Sequence, residues 1–241
     1  KEAMETGIRT GFAYHTTGVV SAPLEGFIEL KIKNRADGKK YVAASFAGPI
    51  RGAGGTATAF CLVIIDYIRK KFGYHAYDPS EEEMLRCVTE LYDYHDRVTN
   101  LQYKPSEEEI KFLISNCPIE VEGEPTEDVE VSNYKDLARI ATNKIRGGMC
   151  LVVSMLALKA PKLWKELKEK QAQFGLDWSF LHDFIKLQKT KKSLAAVEHK
   201  ETAPDYTYIS DLVAGRPVIT YPLRNGGLRL RYGRTRMSGY S

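Results

Sequence analysis

Apolar and polar residues alternate from Phe27 to Lys33, with Ile28, Leu30 and Ile32 on one side and Glu29, Lys31 and Lys33 on the other. That two-residue period is the mark of a half-buried strand. Alternation resumes from Tyr41 to Ala47, where Val42, Ala44 and Phe46 align. Asp37-Gly38 lies between the two runs and supplies a turn, so they are expected to pair as a hairpin. The period then changes. Ala57, Phe60, Cys61, Ile64, Ile65, Ile68 and Phe72 recur at helical spacing, Arg69, Lys70 and Lys71 fill the last turn, and Gly73 closes it. Next comes an internal echo: Pro79-Ser80-Glu81-Glu82-Glu83 returns 26 residues later as Pro105-Ser106-Glu107-Glu108-Glu109. In each copy the serine can cap a helix while the third glutamate reaches back to the serine N–H, a capping box. Helices are therefore expected after both. The glutamate runs are read as helix starters favoured by the helix dipole rather than as metal ligands.

Further along, Asn116–Glu124 reads as a short strand around Ile119 and Val121, and Val129–Ala141 has no clear period. A helix is expected over Ala160–Gln171, with Pro161 in its first turn. A second is expected over Asp177–Leu187, with Trp178, Leu181 and Ile185 inward. Gln188–Asp205 is polar and aperiodic and reads as a linker. Pro217–Tyr221 and Leu228–Tyr232 read as strands around the turn Asn225-Gly226-Gly227. In the second of these, Arg229 and Arg231 share a face opposite Leu228, Leu230 and Tyr232.

The expected architecture is α+β: a hairpin, a glycine loop and an amphipathic helix forming a KH-like unit, extra helices, and a C-terminal β segment leading towards a core that is missing here. The domains implied are 1–187, a linker over 188–205, and the start of a basic, β-rich domain over 206–241. At 241 residues and 43% hydrophobic the chain can bury a real core. Its net charge of +4 is unevenly spread. Residues 79–130 hold 15 acidic side chains against 4 basic ones, whereas Arg216–Ser241 holds six arginines and neither acid nor lysine. Arginine without lysine suits forked phosphate contacts. The four cysteines are isolated, with no C-x-x-C pair, which argues against a zinc ribbon and for a reducing, cytoplasmic setting. No apolar run approaches about 20 residues, so no membrane span or membrane partner is expected. The first residue is a lysine and the last stretch is rich in glycine and arginine, so the chain reads as a fragment of a longer protein.

The candidate chemistry lies in two turns. Ala47-Gly48-Pro49-Ile50-Arg51-Gly52-Ala53-Gly54-Gly55-Thr56-Ala57 joins the second strand to the first long helix. Glycines permit close backbone approach, and N–H groups at a helix start favour an anion. Asn143-Lys144-Ile145-Arg146-Gly147-Gly148 repeats that chemistry ahead of another apolar run. Together the turns suggest one ligand with several phosphates. The candidate nucleic-acid contacts are Arg51, Gly52, Gly54, Gly55, Thr56, Arg146, Gly147, Gly148, Arg229, Arg231, Arg234 and Arg236. A dinucleotide fold would need a parallel strand directly after the helix, and Tyr74–Pro79 is not one. A P-loop would need a Lys-Ser/Thr pair that is missing. A G-x-x-G clamp over Gly52–Gly55 of the KH kind fits, as does a purely structural pair of tight turns. His95 shares a helical face with Leu91 and is expected half-buried beside a carboxylate. No Ser/His/Asp set and no close D-x-D pair is present, so no catalytic or metal-ligating residue is assigned.

A series of segments resembles the large subunit of the archaeal family-D DNA polymerase. It runs through Thr17–Gly26 (TGVVSAPLEG), Ala47–Arg51 (AGPIR), Gly54–Ala57 (GGTA), Leu101–Tyr103 (LQY), Glu127–Ser132 (EDVEVS), Thr142-Asn143, Arg146–Gly148 (RGG), Ala214–Pro217 (AGRP) and Gly226–Arg234 (GGLRLRYGR). The order is the family's across nearly the whole chain. The resemblance implies part of a replicative, magnesium-dependent polymerase whose catalytic aspartates lie downstream of everything matched here. It further implies primer–template DNA, a small proofreading exonuclease subunit and, through other parts of the full protein, a sliding clamp as partners. A stand-alone RNA-binding KH-like module and a structural scaffold remain as the other readings.

Overall fold

A computed structural model describes residues 1–16, 22–197, 212–213 and 216–217, without the side chains of 126–127, 191–197 and the last two pairs. Helix α1 (Glu2–His15) and a short α2 (Ala22–Gly26) precede the hairpin of β1 (Phe27–Asn34) and β2 (Lys40–Phe46). The strands pair antiparallel as the alternation requires, with Leu30 opposite Ala44. A 3-10 turn (Gly48–Ala53) leads into α3 (Gly55–Lys71). Then follow α4 (Glu81–Asp93), α5 (Glu107–Asn116), β3 (Glu120–Gly123), β4 (Pro125–Glu130), β5 (Lys144–Arg146), α6 (Gly147–Leu167) and α7 (Phe180–Val197). β3 joins the sheet parallel to β2, giving the order β1-β2-β3. A parallel partner for β2 thus exists, but it arrives only after three helices, which is not a dinucleotide-binding crossover. β4 and β5 form a separate antiparallel pair. Two compact units divide the chain, Lys1–Gln188 and Lys189–Ser241. Within the second, β6 (Leu212–Val213) and β7 (Arg216–Pro217) pair antiparallel.

The core of the first unit is built on α3 and α6, which pack along one another and against β2. α1 buries Met4, Ile8 and Phe12 on one stripe. Both capping boxes form: the Ser80 hydroxyl accepts from the Glu83 N–H and Glu83 accepts from the Ser80 N–H, and Ser106 and Glu109 do the same. Inside the core, Asp66 accepts from Arg69 Nε at 2.8 Å and from the Trp178 indole at 2.9 Å, fastening the segment before α7 to α3. Glu120 and Glu122 of β3 are also buried. Lys33 bonds both carboxylates, and the Tyr41 hydroxyl donates to Glu120 at 2.8 Å. Burial pushes the Glu120 carboxyl up in pKa despite Lys33. Burial acts on Glu122 in the same sense, but Lys33 and Lys31 hold its carboxyl below the usual range.

Three expectations are corrected here. First, the helix expected from Ala160 begins at Gly147, so Pro161 lies inside α6 instead of in a first turn. Proline has no N–H for the carbonyl four residues back. That carbonyl, on Ala157, accepts from Gln188 Nε2 at 3.2 Å, so a side chain of α7 restores the lost bond. Replacing Gln188 by leucine is expected to cost about 1–3 kcal/mol, because a buried acceptor is left without a partner. Chemical denaturation would read the loss, and amide exchange should quicken in the C-terminal half of α6. Second, α7 runs to Val197, through the first ten residues of the segment read as a linker. Third, His95 is half-buried as expected, but the partner of its Nδ1 is the Leu101 backbone N–H, which donates to it at 3.0 Å, in place of the expected carboxylate. α6 is also 21 residues long with a mean hydropathy of 1.2 over its most apolar window, although 67% of that window is buried inside the protein. It is apolar because it is the core helix.

Candidate nucleic-acid interface

Beyond Phe46 the chain turns sharply, and Ala47 N–H donates to the Gly26 carbonyl at 2.8 Å. Pro49 opens the 3-10 turn, while Ile50 and Ala53 bury their side chains and hold it down. Ile50 sits so close to Gly26 that a Cβ there would lie 2.6 Å from the Ile50 Cα. The turn therefore presents its remaining residues outward: Arg51, Gly52 and Gly54 are exposed, and Gly55 and Thr56 are half-exposed. Gly54 has φ +75° and ψ 143°, a backbone that L side chains rarely adopt, and it is the N-cap of α3. No side chain caps this end and no acid lies in its first turn. Its first N–H groups thus face outward without intrahelical acceptors. The Arg51 guanidinium reaches the Asn100 carbonyl at 3.4 Å, which leaves most of its donors open.

One cation reaches this place without any signal in the sequence. Lys159 of α6 packs against the start of α3, so that a Cβ on Gly55 would come within 2.7 Å of the Lys159 Cε. Twelve residues into a long apolar helix, Lys159 carries no local motif, and only the packing of α6 on α3 brings it beside Arg51's turn.

The second turn is buried where the first is open. The fold does bring it to the same end of β2, since a Cβ on Gly148 would lie 2.0 Å from the Phe46 carbonyl oxygen. But Arg146 points inward and is 3% exposed. Its Nη2 lies 2.9 Å from Glu90 Oε2, its backbone N–H donates to the same carboxylate, and Glu90 is completely buried. Arg86 Nε donates to Glu90 Oε2 at 3.3 Å, so one carboxylate serves two buried guanidinium groups. Burial works against the charge on Arg146, yet Glu90 more than offsets it and holds the guanidinium protonated, its pKa raised well above the ordinary value. Arg146, Gly147 and Gly148 are all buried. Gly148 allows close packing on β2, and all three residues lie away from solvent, unlike those of the first turn. Arg229, Arg231, Arg234 and Arg236 lie outside the described residues. Among the described residues no group of histidine, cysteine, aspartate or glutamate side chains is arranged to hold a metal ion.

The fold thus defines a mixed α+β unit with an open arginine–glycine turn and a buried structural copy of that turn. Residues 1–187 match the family model described as DNA polymerase II large subunit DP2, N-terminal, and residues 195–241 match that of its central domain. The chain belongs to this family. It is 44% identical, over 99% of its length, to the DNA polymerase II large subunit of Nanoarchaeum equitans. To the proteins of that name from Archaeoglobus fulgidus and Methanosarcina barkeri it is 46% and 44% identical over its whole length. It spans 20–22% of the length of these three relatives.

Proposed function

We propose that this chain is part of the large catalytic subunit of a replicative DNA-directed DNA polymerase, where it binds DNA or supports the catalytic core and performs no chemistry alone. The observation that carries the reading is the match to the family over both stretches, combined with an open, uncapped turn bearing Arg51 at the start of α3. In this reading Arg51, Gly52, Gly54, Gly55 and Thr56, with Lys159 beside them, meet backbone phosphates, and Arg229, Arg231, Arg234 and Arg236 extend the path. The hairpin, the G-x-x-G turn and α3 then act as a KH-like clamp. The magnesium ions, a small proofreading exonuclease subunit and the sliding clamp engage other parts of the full cytoplasmic protein. The buried Arg146–Glu90 pair favours a second, structural role, but only for the second turn.

Anisotropy of a labelled primer–template, titrated across salt, tests this. Arg51→Glu combined with Lys159→Glu is expected to weaken binding about tenfold or more and to flatten the salt slope by about one to two units, as fewer counterions are released. Unchanged affinity and slope would remove the turn from the DNA path. Tighter binding of single-stranded RNA competitor than of DNA would favour the RNA-binding module instead.

A further inference from the structure

On the side of α3 bordered by α1 lies an open groove of about 640 Å³. Its floor and walls include Phe60, Ile64, Tyr67 and Ile68 of α3, Tyr14 of α1 and Phe174 from the turn after α6. Phe60, Ile64 and Ile68 belong to the helical stripe that the sequence marks as a core face, yet the first unit leaves them, and Tyr67 beside them, only partly covered. Tyr14 is 84% exposed and Phe174 46%. The rim is positive. Lys71 Nζ stands 5.2 Å over the Tyr67 ring, Lys70 Nζ donates to the Gly175 carbonyl at 2.7 Å, and Lys170 lines the groove together with Glu166, the single acid of the lining.

We infer that this groove is the seat of an amphipathic helix, apolar on one face and acidic along its flanks, supplied by the same polypeptide outside residues 1–241. Three observations carry the choice of occupant. The stripe is laid out at helical spacing along a cleft, the form that receives the i, i+3, i+4 side chains of a second helix. Lys170 in the lining, with Lys70 and Lys71 at its edge, outnumbers Glu166 and the Asp177 that lies near Lys70, and so favours acidic flanks. The relatives are about five times longer than this chain, so most of a family polypeptide lies elsewhere and a tethered segment binds at high effective concentration. Other occupants fit less well. A second copy would bring the same lysines face to face. The His15 ring is already stacked on Phe60 at 4.2 Å, which takes that ring face from any nucleobase. The inference rests on family membership and not on the DNA reading, so either can fail alone.

Single cysteines at Tyr14→Cys and, separately, Phe174→Cys test it, because all four cysteines of residues 1–241 are buried and peptide mass spectrometry reads the label at the new site alone. Each variant is made in the 241-residue chain and in the complete large-subunit polypeptide, and thiol labelling rates are compared. Labelling is expected to slow at least about tenfold in the complete polypeptide, and Ile64→Lys or Tyr67→Asp there should restore the fast rate. A photo-crosslinker on the Tyr14→Cys thiol should then capture a helix of the same polypeptide with acidic flanks. Equal rates in both proteins would overturn the inference. So would protection that appears only with the small subunit, with oligothymidylate, or with rising concentration of the 241-residue chain, since each assigns the groove to a different occupant.

Discussion

Glu90→Ala is expected to destabilise the first unit by about 3–5 kcal/mol, the usual result of removing one partner from a buried ion pair. Glu90 and Arg86 are fully buried and Arg146 nearly so, and this carboxylate bonds both guanidinium groups. Without it Arg146 loses its side-chain carboxylate partner and its backbone N–H loses its acceptor. Arg86 keeps the carbonyls of Tyr134 and Thr142, at 2.8 and 2.9 Å. The loop between β4 and β5 should therefore loosen less than the start of α6. Urea denaturation gives the magnitude, and amide exchange gives the distribution. The companion variant Glu90→Leu with Arg146→Met should recover only part of the loss, because the apolar pair removes the unpaired Arg146 charge but leaves the buried Arg86 without its carboxylate. The same series separates structure from binding. A folded Arg146→Met protein that had lost DNA affinity and salt slope would return this side chain to the nucleic acid, against its burial here.

Gly148→Ala should cost about 3 kcal/mol, at the upper end of the usual overpacking range. Alanine is the better helix former by about 1 kcal/mol, so propensity alone would predict a gain. The position overrides it. The new Cβ would lie 2.0 Å from the Phe46 oxygen and 2.3 Å from its carbonyl carbon, and both are backbone atoms of a buried strand. No rotamer change relieves that overlap, so α6 must move off β2. Gly48→Ala is the control: nothing lies within 4 Å of the place its new Cβ would take, and its effect should stay within about 0.5 kcal/mol. Thermal melts of the two variants should differ by well over about 5 °C. Equal melts would mean that α6 does not seat on β2 as described.

Which features could be read from the sequence follows from how far each one's causes lie along the chain. The hairpin was legible because period and turn are local, and the capping boxes because serine and glutamate sit three residues apart. The open arginine turn was legible in the same way, from Pro49, Arg51 and the glycines. Arg146 looked identical by that test, and its fate was set by Glu90, 56 residues away. Lys159 joined the turn only through the packing of α6 on α3. Pro161 read as a helix start until Gln188, on the next helix, provided the missing hydrogen bond.

The periodic elements, the helix starts and the existence of two arginine–glycine turns are written in the order of the residues, since hydrogen bonds and steric limits between near neighbours set them. That order also carries the family resemblance. Which of the two turns faces water depends on packing between distant segments. A guanidinium can leave solvent only where the fold brings a buried carboxylate to meet it, and for Arg146 that carboxylate comes from another helix.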